Sequence, residues 1–453
     1  MLNFKVFLKF LQISLPEGFM LGTGSSAYQI EGAWNADNKG PIPNPGGFLA
    51  KPQKKKFPIY HKGTDLHALD AIRGYSFVNG DIACDSYNKL DEDIKNLVEL
   101  GVNTYRFSIS WPRVLPFGDD RNINKLGVTM YHWDLPVSLQ ELGGWANPKI
   151  IEYFVKLWTT FNEPRLVAFA YGNEGMAPSV GETFNGIAEY TVIRNILLAH
   201  AKAYRLYKKD YAESQKGEIS ICLDTSAYFE KNPELEADKE ALGVFTQPLV
   251  DGTFPKTVLD SIAKTNKEEK ITKHINRIVE FTEEEKTELK KSYDFIAFNY
   301  YDSFKVQAMS DAERKEEGSL LNKDLGVVLS PNFDNIKETF DGFTQVVNWL
   351  VDNVKNPKLF VAENGIAEKS NEDGSAMKIE YHHGILTELD KALKRGIVIT
   401  GYCVWSFMDS LEWTSGYFSK LFGIYAVDFN DPKRPRSKKN SFDFFKTVYK
   451  RLI

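Results

Sequence analysis

The chain has 453 residues, 43% hydrophobic and 26% charged, which is ordinary globular usage with enough apolar material for a sizeable core. A net charge of −5 argues against nucleic acid or an anionic membrane surface as the main partner. The three cysteines, Cys84, Cys222 and Cys403, are too few and too scattered for a disulfide framework or a zinc site. No stretch approaches the roughly 20 apolar residues of a membrane span.

Residues 1–14 are apolar but broken by Lys5 and Lys9, and no small-residue cleavage site follows. That is a poor match to a signal peptide. The segment reads as an N-terminal extension or a degenerate signal, ahead of a single domain over 15–453. No Asn-x-Ser/Thr sequon occurs, which leans against a glycosylated secreted protein. Localisation and oligomeric state stay open.

From there a short β-prone run followed by a helical pattern recurs. The runs are 19–28, 104–111, 128–134, 157–163, 218–224, 294–301, 358–364 and 399–407. Several are near-continuously apolar, as parallel strands covered on both faces should be. Helical spacing of apolar residues marks 90–100, 187–207, 379–394 and 442–452, and Thr282 with Glu285 forms a capping-box pattern for a helix ending near 291. Strand–helix alternation repeated this way predicts an α/β fold, a (β/α)8 TIM barrel.

Three regions are irregular. Residues 40–80 hold a Pro/Gly-rich stretch and a basic run at 51–56, which reads as a solvated loop. The connection 112–127 has room for at most a turn or two of helix, near 121–126, although a parallel crossover takes a dozen residues or more. In 135–156 the helical candidate is 148–156, about 14 Å long against roughly 23 Å for a seven-residue strand. The two crossover helices there are therefore expected to be shortened or missing.

The polar residues fall at the C-terminal ends of the runs: Gln29, His132, Asn162 with Glu163, Tyr301, Glu363, and Trp405 with Glu412 just beyond. Barrel active sites lie at that face. Glu163 and Glu363 each follow a short apolar run. Two carboxylates across one pocket are the minimum for acid–base hydrolysis of a glycosidic bond, one protonated to release the leaving oxygen and one ionised.

Six ordered strings then carry a resemblance. They are Ser26-Ala27-Tyr28-Gln29-Ile30-Glu31-Gly32-Ala33-Trp34, Tyr105-Arg106-Phe107-Ser108-Ile109-Ser110-Trp111, Tyr131-His132-Trp133-Asp134-Leu135-Pro136, Thr160-Phe161-Asn162-Glu163-Pro164, Glu363-Asn364-Gly365 and Gly401-Tyr402-Cys403-Val404-Trp405-Ser406. Together they resemble glycoside hydrolase family 1 over residues 15–453, in a style nearest to animal and insect β-glucosidases. The resemblance implies a retaining β-glycosidase on a (β/α)8 barrel that acts on a small β-glycoside and uses no metal or organic cofactor. It places Glu163 as general acid/base and Glu363 as nucleophile. Gln29, His132 and Asn162 match positions that bind sugar hydroxyls, Glu412 and Trp413 the pair that grips the far hydroxyls, and Trp405 the platform under the ring. Arg106 and Tyr301 match residues that orient the nucleophile, Tyr301 also facing substrate. The match at Asn299 is weaker, because Asn-Tyr-Tyr stands where the family's middle residue is usually His.

The sequence also departs from that family. Helices look absent from the two short connections, the segment after Gly40 lacks the usual Ser-Ile-Trp-Asp run, and one extra residue stands near Leu421. Two alternatives to an active enzyme stay open on these grounds: a catalytically silent barrel that binds a sugar or a protein, and an unstable product of an incomplete gene.

Overall fold

The computed structural model describes residues 13–33, 36, 80–114, 131–134, 143–148, 160–172, 184–230, 237–271, 275–331, 336–368, 373–413 and 415–452. The expected loop at 40–79 with its basic run, the helical candidates at 121–126 and 149–156, the starts of two runs at 128–130 and 157–159, and Trp34, Leu135 and Pro136 lie outside the described residues.

The architecture is a (β/α)8 barrel whose ring is traced by parallel contacts. Its strands include β1 (Met20–Gly24), β2 (Thr104–Arg106), β3 (Cys222–Glu230), β4 (Ile296–Ala308), β6 (Leu359–Asn364) and β7 (Ile399–Trp405). A further strand, β5 (Val327–Pro331), lies outside the ring. β2 pairs with β1, β1 with β7, β7 with β6, β6 with β4 and β4 with β3. The ring continues from Cys222 to Asn162 and from Phe161 to Tyr131 through isolated parallel bridges. No ladder joins the Tyr131 segment to β2 among the described residues. The two segments meet just beyond their ends, where the Trp111 amide donates to Asp134 Oδ2 (3.0 Å) and the Trp111 ring sits edge-on to Tyr131 at 6.2 Å.

All six residues of β6 are buried, as its apolar run Leu-Phe-Val-Ala requires of a strand covered on both faces. The cover comes from amphipathic helices. In α3 (Ala188–Asp210), Val192, Ile196, Ala199 and Ala203 recur at helical spacing and are all buried. Helix α6 (Glu283–Leu289) begins with the capping box that Thr282 and Glu285 spell out: the Glu285 amide donates to Thr282 Oγ1 (3.3 Å) and the Thr282 amide to Glu285 Oε2 (2.9 Å). Such a cap is worth about 1 kcal/mol. Helix α8 (Ser375–Lys394) connects β6 to β7 and bonds back to both through Tyr381 and His382, and α9 (Phe442–Leu452) closes on α1 (Leu90–Leu100) and β1 through Phe444, Phe445, Val448 and Tyr449.

Several boundaries differ from the sequence reading. β1 stops at Gly24, and the rest of that run turns into a short helix, Ala27–Ile30, entered through extended Ser26. β2 is three residues long, and Trp111 opens a helical turn instead of ending a strand. β3 and β4 run past their expected ends at 224 and 301, because outside the barrel they still pair with each other and β4 also pairs with antiparallel β5. The hairpin of β8 (Tyr425–Val427) and β9 (Arg436–Lys438) was not foreseen. The extensions of β3 and β4 come from pairing between segments separated in the chain, to which local periodicity is blind. No described helix is long and apolar enough to cross a membrane.

Candidate active site

Glu363 is the fifth residue of β6, 3% exposed, and held from two sides. Arg106, at the end of β2, places Nη1 on Glu363 Oε1, and Tyr301, in β4, donates from its hydroxyl to Oε2 at 2.6 Å. The adjacent Asn364 is locked below: its Nδ2 donates to Tyr300 O (2.6 Å) and Tyr381 OH (2.9 Å), while Tyr402 OH donates to its Oδ1 (2.6 Å). Tyr381 OH in turn donates to Tyr301 O (2.6 Å), so one buried network sets both the nucleophile candidate's strand and the tyrosine that holds it. Gly365 is required by close approach, since a Cβ there would lie 2.1 Å from Trp405 O.

Glu163 is held differently. Its segment joins the sheet through single bridges, and its amide donates to Cys222 O (2.8 Å). Its φ is +51°, in the left-handed region that costs roughly 1–2 kcal/mol for a residue with a Cβ. The strain sits at the sharp turn from strand into helix α2 (Pro164–Gly172), whose first residue, proline, suits a helix start. The carboxylate accepts one described side-chain bond, from Asn299 Nδ2 at 2.9 Å. Burial pushes its pKa well above the usual carboxylate range, with the charges of Glu363 and Asp224 adding to the rise and Asn299 and Arg106 opposing it.

Asn162 ties the two glutamates together. Its Oδ1 accepts from Arg106 Nη2 (2.7 Å) and from Asn299 Nδ2 (3.2 Å), and its Nδ2 faces His132 Nε2 at 3.3 Å. A continuous chain of polar contacts therefore runs from Glu163 through Asn299, Asn162 and Arg106 to Glu363. Two strand positions, β3 and β4, separate the Glu163 and Glu363 segments in the ring, an arc of roughly 14 Å at the usual strand spacing.

An aromatic wall adjoins this chain. The His132 ring lies parallel to Trp405 at 5.9 Å, Trp413 stacks on Trp133 at 5.3 Å, and Tyr28 stacks on Trp413 at 5.5 Å. Gln29 is fully buried; its Nε2 donates to Leu411 O (2.6 Å) and its Oε1 accepts from Ser26 Oγ (2.5 Å). Those bonds fix the backbone just before Glu412. Burial pushes the Glu412 carboxyl up to about 7 against the opposing charge of Lys420, with a smaller upward push from Glu363. The sequence-derived residues thus form one constellation at the C-terminal ends of the strands. No group of three or more metal-ligating side chains occurs among the described residues.

Sequence reasoning gave Asn299 a weak place, yet it is the residue bonded to Glu163. Arg165 and Asp224 were overlooked. Asp224 carried a signal, a charged residue at the C-terminal end of a predicted strand, whereas Arg165 resembles any solvated residue early in a helix.

A sequence profile described as glycosyl hydrolase family 1 matches residues 11–128 and 125–452. Among curated relatives, human lactase/phlorizin hydrolase is 34% identical over 97% of this chain, and the chain spans only 24% of that protein's length. Myrosinase 1 of Brevicoryne brassicae is also 34% identical, over 97% of this chain and 99% of its own. Among solved structures, a rice β-glucosidase in a covalent complex with Glc superposes with a TM-score of 0.79 at 26% identity, covering 96% of this chain and 98% of that one.

Proposed function

The chain belongs to glycosyl hydrolase family 1, and from that premise we propose that it hydrolyses small β-glycosides, β-glucosides first among them, by double displacement with retention. Residues 15–453 act in this reading as one catalytic domain, with 1–14 an extension to it. The observation that carries the reading is the opposite treatment of two carboxylates in one site. Glu363 receives a guanidinium and a phenol, donors that stabilise an anion. Glu163 sits where burial and a neighbouring carboxylate favour the protonated form.

In the first step Glu363 attacks the anomeric carbon while Glu163 gives its proton to the glycosidic oxygen. The aglycone leaves as an alcohol, and the sugar remains as an ester on Glu363. Esterification removes the negative charge that helped keep Glu163 protonated. Glu163, left ionised by that transfer, takes a proton from the water that attacks the ester, which restores both groups. Retention calls for carboxyl groups roughly 5–5.5 Å apart. Asn162, polarised by Arg106, is suited to the 2-hydroxyl, where hydrogen bonds strengthen in the oxocarbenium-like transition state. Gln29, His132, Glu412 and Trp413 grip the remaining hydroxyls, and Trp405 lies under the ring. A glutamate rather than a glutamine at 163 supports ordinary O-glycosides as substrates.

The test is hydrolysis of 4-nitrophenyl β-D-glucoside, with β-glucose as the first anomer seen by NMR and activity abolished in Glu363→Gly. A well-folded wild-type chain that turns over no aryl glycoside would overturn the reading in favour of a binding protein.

A further inference from the structure

A cation two residues beyond a general acid is a hazard. If Arg165 paired with Glu163, it would favour the ionised carboxylate and deplete the proton donor. Arg165 lies in the first turn of α2, where the helix dipole also disfavours a positive charge. Packing alone does not fix it: its side chain remains 35% accessible and lines a cavity of about 320 Å³ together with Phe169, Tyr190 and Leu321.

What holds Arg165 is Asp224. Arg165 Nε donates to Asp224 Oδ2 at 2.6 Å, and Nη2 reaches the same oxygen. Asp224 is largely buried, and it stands in register with Asn299, the residue bonded to Glu163. Register partners in a parallel sheet share a face, so Asp224 looks onto the surroundings of Glu163. Resting on the acid/base reading of Glu163, we propose that Asp224 is a positioning residue of the proton-donating step, holding the Arg165 guanidinium away from Glu163 so that the acid stays available. Asp224 also adds its own negative field to that of Glu363. The other groups facing Glu163 are Arg106 from β2, Cys222 from β3, and Asn299 and Tyr301 from β4. Arg106 already balances Glu363, which leaves Arg165 and Asp224 as the pair that sets the remaining charge.

The experiment compares pH profiles of kcat/KM for phenyl β-D-glucoside, whose poor leaving group needs the acid, with 2,4-dinitrophenyl β-D-glucoside, which hardly does. Asp224→Asn should move the alkaline limb for the phenyl substrate down by about one pH unit, so that rates above the limb fall about tenfold. The dinitrophenyl substrate should lose much less. Adding Arg165→Gln to Asp224→Asn should bring the limb back toward wild type, a rescue that a merely structural role would not give. Arg165→Gln alone should move the limb up, because Asp224 then acts unopposed; that variant decides the matter if Asp224→Asn fails to fold. An unmoved limb in Asp224→Asn, a double variant no better than the single one, or a limb lowered or unchanged in Arg165→Gln would overturn the proposal. A wild-type chain inactive on both substrates would instead overturn the acid/base reading beneath it.

Discussion

Glu363 and Glu163 end two strand segments of one barrel, yet the molecule builds around them in contrary ways. Glu363 belongs to a six-residue strand paired on both sides, and two donors grip its two oxygens. Behind it, buried Asn364 donates to Tyr381 and accepts from Tyr402. Glu163 belongs to a segment joined by single-residue bridges, adopts a strained φ, and takes its one described side-chain bond from an amide. A group that must attack one carbon gains from being fixed and charged. A group that must hold a proton until the leaving oxygen takes it gains from few donors and from burial beside another carboxylate. The difference in support follows the difference in task.

That contrast can be broken from its rigid side first. Glu363→Gly should lower turnover of 4-nitrophenyl β-D-glucoside by at least about 10⁴-fold. Added azide should recover part of the rate with inverted product, because a small anion can enter the vacated space. Recovery with retained configuration would show that the attacking group lies elsewhere.

Glu163→Gln comes next. It should cost roughly 10²–10⁴-fold on alkyl or phenyl glucosides and far less on 2,4-dinitrophenyl glucoside in the first, glycosylation step. Equal losses in pre-steady-state bursts with both substrates would rule out the proton-donor role. The same variant should melt at a higher temperature than wild type at neutral pH. The folded pKa of Glu163 lies above its unfolded value, so the folded state binds a proton that the unfolded state releases. Stability is therefore intact below the unfolded carboxylate range and falls as pH rises through it toward the folded pKa. Glutamine removes that loss, and a melting temperature that instead drops at neutral pH would contradict the buried, protonated setting.

Tyr301→Phe sharpens the comparison. A hydrogen bond to a charged group is worth roughly 1.5–3 kcal/mol, so kcat should fall about ten- to a hundredfold with KM little changed. A change confined to KM would make Tyr301 a binding group rather than a support of Glu363.

The smallest expected effect on rate belongs to Tyr402→Phe. It strips the donor from Asn364 Oδ1 and the partner from His382 Nδ1, 2.8 Å away, leaving buried polar atoms unsatisfied at a cost of about 1–3 kcal/mol of stability. Chemical denaturation would read it. Stability equal to wild type would mean that water repairs the network and that the support of Glu363 is looser than the geometry indicates.

Local patterns carried much of this. Apolar runs of strand length and helices at 3.6-residue spacing named the fold, because a barrel strand such as β6 is buried on both faces and an amphipathic helix such as α3 on one. The capping box at Thr282 was legible because its bonds lie within four residues. The strand-end rule pointed to Glu363 in β6 and to Glu163 beside its bridge, because in a parallel barrel every strand delivers its last residues to one face, whereas Gln29 stands in the helical turn that follows β1. What chain order could not supply was contact between segments. The hairpin of β8 and β9, the antiparallel pairing of β5, the Asn299 bond to Glu163 and the Arg165–Asp224 clamp all join residues that no periodicity relates. Only the assembled site gave Glu163 its buried place beside other carboxylates, since burial and neighbouring charge are properties of the folded site and not of the short string that contains the residue.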